Sequence, residues 1–164
     1  MRPAALLACL AVALTCGCGT LRPLETKVKV PVKDAAKAML RAAAGGYSNG
    51  TGVMNDGRWA LVALRPGADA MDGELLRAGD GERRTCHWIY AQSEMYFGDM
   101  LGMHEYFFSS GPHSVAYNIV YYHWPLDRKE DAMQFARALH ALQAADPGEI
   151  AAAYGAHATD RDEP

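Results

Sequence analysis

An unbroken small and apolar run from Pro3 to Thr15 stands behind a single charge at Arg2. It is too short to cross a bilayer as a helix, which takes about 20 apolar residues, and has the length of a secretory leader's core. After it the period changes. From Thr26 the chain alternates, with Val28, Val30 and Val32 on one side and Lys27 and Lys29 on the other. Pro31 would remove a ladder hydrogen bond, so the segment reads as an edge strand or an extended linker. Asp34 is placed to cap a helix running to Ala44, which Gly45-Gly46 stop. Residues 58–65 (RWALVALR) predict a strand, and 66–84 read as polar and turn-rich, with Gly79-Asp80-Gly81 the clearest turn. Residues 85–104 fit either the second arm of a hairpin with 74–77 or a helix opened by Thr85. A strand to Ala91 followed by a short helix to Leu101 is the reading adopted. Residues 106–109 and 114–124 predict two strands around Gly111-Pro112. Asp127, with Glu130 closing a capping box, predicts a helix to about residue 144 that buries Phe135, Leu139 and Leu142. Asp146-Pro147 opens a last short helix that ends at Gly155.

These elements predict one α+β domain over 26–155, an antiparallel sheet with helices packed on it. A tether at 18–25 precedes it and a frayed tail at 156–164 follows. The leader's end, Thr15-Cys16-Gly17-Cys18, resembles the lipobox of bacterial lipoproteins, in which a small residue precedes the cysteine that is acylated and becomes the new N-terminus. Gly17-Cys18 fits best and Thr15-Cys16 is the alternative. The resemblance implies removal of residues 1–17 and a membrane partner reached through lipid on Cys18. Gly19, where an Asp favours inner-membrane retention in such proteins, points to the periplasmic face of the outer membrane. Lys27 and Lys29 lie close to this anchor, within reach of anionic lipid.

Cleavage at Cys18 would leave 147 residues, enough for one core and short of two. Loss of Arg2 leaves 15 basic against 19 acidic side chains, a net charge of −4 without a dense basic run. This argues against a nucleic-acid binder. The glycine-rich stretch 45–57 lacks the Gly-Lys-Ser/Thr ending of a phosphate loop. The six histidines show no ligand spacing, and His104-Glu105 lacks the second histidine of a zincin helix. No metal or other cofactor is expected.

Two constellations remain. Cys86 is the one cysteine beyond the leader. On a helix N-terminus its thiolate would be favoured, with His113 as base and Asp127 as the group orienting it. The order Cys86, His113, Asp127 resembles the papain-like and transglutaminase-like thiol enzymes and implies attack on an amide carbonyl. The match departs from those enzymes at Val115, where an aromatic is usual. Separately, aromatic residues crowd 88–124, and Tyr121, Tyr122 and Trp124 are candidates for an exposed binding patch. The leading expectation is a lipid-anchored envelope protein that binds or assembles with an envelope protein or peptide and has no catalysis of its own. The alternative is a thiol-dependent amidase or acyl transferase.

Overall fold

Alternating burial along short apolar runs builds an eight-stranded antiparallel sheet. The computed structural model describes residues 20–28, 30–48, 57–100, 103–110 and 122–155. Their strands are β1 (Thr20–Pro23), β2 (Tyr47–Ser48), β3 (Trp59–Pro66), β4 (Ala70–Arg77), β5 (Arg83–Ile89), β6 (Ser93–Met100), β7 (Met103–Ser110) and β8 (Tyr122–Pro125), in the spatial order β1-β6-β7-β8-β2-β3-β4-β5. Helices α1 (Val32–Ala43), α2 (Lys129–Ala144) and α3 (Pro147–Tyr154) pack on the sheet. The class is α+β, as the patterning predicts.

The connection between β5 and β6 dictates the sheet's shape. Six inter-strand spacings separate the two, roughly 29 Å across a flat sheet. Only the turn Tyr90–Gln92 joins them, a reach of about 14 Å at most. The sheet therefore curls strongly. Inner-face rings confirm it: Trp88 on β5 meets Phe108 on β7 edge-on at 5.1 Å between centroids. Phe135 of α2 lies 5.3 Å from Phe108 and 5.0 Å from Trp124, so α2 drives an aromatic wedge into the hollow. Gly73 on β4 leaves room for the Trp88 ring; a Cβ there would sit 2.6 Å from it. A bulge between Leu61 and Ala63 on β3 resets the alternation, so Leu61 and Leu64 both face inward while Val62 is 40% exposed.

Several expected boundaries move. Thr20–Pro23, expected in the tether, pairs with β6 as an edge strand, and the described residues of 24–31 carry no helix or strand and link it to α1. Residues 70–77, expected within a turn-rich region, form β4, because the hairpin with β5 buries Met71 and Leu75. The hairpin reading of 85–91 holds. The helix expected after it is a strand: only Tyr90–Gln92 is helical, a 3-10 turn, and β6 alternates against β7. Residues 114–121 of the expected second strand lie outside the described residues, and Tyr122–Pro125 at its end is β8. Neither Asp34 nor Asp127 caps a helix. Asp34 lies inside the first turn of α1, and Asp127 lies in a 3-10 turn before α2. Asp146 does cap α3, accepting the Glu149 N–H at 2.8 Å, and Gly155 closes it in the left-handed region at φ 84°.

No side chain caps the start of α1, and backbone N–H groups of 44–46 close its end; phenols and an indole add to both. The Tyr154 hydroxyl of α3 accepts the Ala36 N–H at 3.0 Å and donates to the Val32 carbonyl in the first turn. At the other end Trp124 Nε1 donates to the Ala42 carbonyl at 2.9 Å and Tyr122 Oη to the Ala43 carbonyl at 2.8 Å. Tyr122 Oη also accepts the Leu61 N–H of β3 at 3.3 Å. Gly46 makes this approach possible, since a Cβ there would lie 2.6 Å from the His123 carbonyl and 2.9 Å from Trp124 Nε1. Gly46→Ala should destabilise the fold by about 2 kcal/mol or more through overpacking. Tyr122→Phe should cost about 1–3 kcal/mol, because the Leu61 N–H loses its acceptor while the Ala43 carbonyl keeps only the Gly46 N–H. Urea unfolding checks both, with lowered midpoints at an unchanged slope expected.

Candidate functional site

β5 carries Cys86 on the inner face, opposite Gly73 of β4. The residue is 6% exposed and belongs to the hydrophobic core. No helix N-terminus serves it, and burial pushes its thiol up to about 11. At pH 7 roughly one thiol in ten thousand would then be ionised, whereas a nucleophilic cysteine needs its thiolate. Asp127 is exposed in the 3-10 turn after β8, whereas Cys86 is buried on the inner face of β5. His113 lies outside the described residues. The expected thiol site is therefore not assembled from Cys86 and Asp127. Cys86 behaves as a small core hydrophobe.

The expected aromatic patch is also corrected in part. Tyr122 is 1% exposed and Trp124 0%, and both spend their polar atoms on α1. They are core, because their register with β7 turns them to the inner face beside Tyr106 and Phe108. Tyr121 lies outside the described residues.

The outer face carries what the sequence reading missed. Register places Tyr96 (β6), Phe107 (β7), His123 (β8) and Tyr47 (β2) side by side across four strands. Tyr96 and Phe107 stack at 5.4 Å, His123 and Tyr47 at 5.7 Å, and Phe107 and His123 lie 6.5 Å apart. The Arg58 guanidinium sits 4.3 Å over the Tyr47 ring. Carboxylates flank the row: His123 Nδ1 lies 3.0 Å from Glu105, and the Tyr96 hydroxyl donates to Glu94 at 2.5 Å. Burial and that bond raise the Tyr96 pKa beyond the usual phenol range. Toward the β5 edge the same face continues with His87 Nδ1 2.7 Å from Asp72, an exposed pair. Cross-strand stacks of this kind stabilise a sheet. The signal was available in the alternation of 94–97 against 105–108, which a helical reading of the first segment concealed.

A shallow cleft of about 510 Å³ opens between the β3–β4 turn and the α2–α3 junction, lined by Asp69, Ile89, Leu142 and Gln143 among others. The Gln143 amide is committed to the Tyr90 and Ser93 carbonyls at 2.9 and 2.7 Å. Among the described residues no group of His, Cys, Asp and Glu is arranged to hold a metal ion. Comparison with protein-family models, with curated proteins and with solved structures found no match.

Iodoacetamide at neutral pH should leave Cys86 unmodified in the native protein and alkylate it in denaturant. Native labelling as fast as that of a free thiol would contradict the burial argument. Cys86→Ala should fold, at a cost of about 1 kcal/mol for the small void.

Proposed function

We propose that this protein is a lipid-anchored component of a bacterial cell envelope that works by binding or assembly rather than by catalysis of its own. The observation that carries the reading is the position of β1, which begins at Thr20, two residues past Cys18, and pairs with β6. An acyl chain on Cys18 would hold the sheet edge at the bilayer with almost no slack. The leader pattern from Arg2 to Cys18 supports the same anchor. Among the described residues no helix is long and apolar enough to cross a membrane, so attachment through lipid is the anchor the reading invokes. The non-catalytic part is supported by the buried Cys86 and by a sheet hollow filled with helix side chains. The partner class is an envelope protein or peptide.

Mass spectrometry of the protein isolated from its own envelope should find an N-terminal peptide that starts at Cys18 and carries acyl chains. Cys18→Ala should leave the leader uncut. An unmodified chain with Met1 intact would overturn the anchor. A peptide starting at Cys16 would move the anchor without removing it.

A further inference from the structure

Charge is segregated along this chain. Residues 19–48 hold six basic and two acidic side chains, a net +4, whereas residues 49–164 hold nine basic and seventeen acidic, a net −8. The structure lines up three of these basic residues on one helix face. The buried face of α1 is Ala35, Ala36, Ala38, Met39, Ala42 and Ala43, which leaves Lys33, Lys37 and Arg41 exposed at spacings of four along the opposite stripe. Exposed Arg22 and Lys27 lie in the segment that leads to it. None of these five forms an ion pair among the described residues, although acidic Glu25 and Asp34 belong to the same stretch. In the acidic part the pattern is the reverse: Arg77, Arg83, Arg84, Arg128 and Arg137 each meet a carboxylate. Like charges at i, i+4 repel and weaken a helix, so this stripe runs against the local stability of α1.

We propose that the outer stripe of α1, Lys33-Lys37-Arg41 with Lys27 and Arg22, is a docking surface for anionic phospholipid headgroups. The charge is complementary, and the stripe starts fifteen residues from Cys18. The linker that delivers it is pinned to the helix layer, with Thr26 Oγ1 2.8 Å from His140 Nδ1 of α2. Docking would turn the helix layer toward the bilayer and the acidic remainder away from it. This deepens the anchored reading for its cellular setting, but the lipid contact itself needs no acyl chain.

The test uses the full chain made by cell-free synthesis without lipid donors, so Cys18 stays unmodified. Its partition is measured onto vesicles of phosphatidylcholine alone and onto vesicles with about one third phosphatidylglycerol. Each cation at an anionic surface strengthens adsorption roughly fivefold. A preference of at least about tenfold for phosphatidylglycerol is expected in about 0.1 M salt, fading toward 1 M as screening shortens. K33Q/K37Q/R41Q should weaken it by at least about tenfold, leaving the share carried by Arg22 and Lys27, with circular dichroism showing the helix content unchanged. Because all three positions are exposed, Lys37→Gln alone should give a partial loss if the triple variant misfolds. Equal partition onto both vesicles overturns the proposal, as does a preference that the triple substitution leaves undiminished. Salt-sensitive self-association that the triple variant loses, without a lipid preference, overturns it in favour of the acidic face of a second copy. The leader's own contribution, including Arg2 and the N-terminal amine, is common to the full chain and to the variant, so the difference between the two reports on the stripe. Failure of acylation in the mass measurement leaves this result untouched.

Discussion

The last turn of α1 and the short strand β8 hold each other, and the rest of the fold is arranged around that contact. A helix end leaves carbonyls without intrahelical partners, and in a buried setting they must find donors. Here the Gly45 and Gly46 N–H groups reach the Ala42 and Ala43 carbonyls at 3.2 and 2.9 Å, and the Trp124 indole and the Tyr122 phenol each donate a second bond to the same two oxygens. Tyr122 reaches a third element by accepting from Leu61, so one hydroxyl ties helix, β8 and β3 together. Since β2 is only two residues long, these side-chain bonds supplement a thin seam between the halves of the sheet, β6-β7-β8 and β3-β4-β5. Gly46 is the steric condition for the contact.

That seam and the short β5–β6 connection together force the curl, and the curl decides what surface is left for function. The hollow is filled by α1, α2 and a run of rings from Trp88 through Phe108 and Phe135 to Trp124. Cys86 is drawn into that core, and burial disfavours its thiolate. What faces outward is of two kinds: a stacked aromatic row flanked by carboxylates on the sheet, and the cationic stripe on α1. Among the described residues these two surfaces are what the fold offers the binding role proposed above.

Much of the fold was legible from period alone. Residues 59–64 are an apolar run of strand length between two arginines, Phe135, Leu139 and Leu142 recur at helical spacing, and the Asp146-Pro147 start of α3 was correctly placed because its signals are local. The misreadings share one cause. Asp34 and Asp127 satisfied a local capping rule, but α1 takes its first-turn contact from Tyr154, more than a hundred residues away, and a 3-10 turn displaces Asp127. In β6, Ser93, Met95 and Phe97 alternate with Glu94 and Tyr96, yet Ile89, Tyr96, Met100 and Met103 also mimic a helical stripe. Only pairing with β7 decides between the periods. The site was less legible for the same reason. Whether Tyr122 and Trp124 face inward, and whether Tyr96 and Phe107 meet, is a matter of register across strands, which composition does not encode.

The contact between α1 and β8 can be watched directly through one proton, the indole N–H of Trp124, by native-state hydrogen exchange. If that contact is the tie on which the fold depends, the proton exchanges only through global unfolding, with a free energy equal to that from denaturant titration. Exchange through a lower-energy local opening, with the sheet amides still protected, would contradict the account.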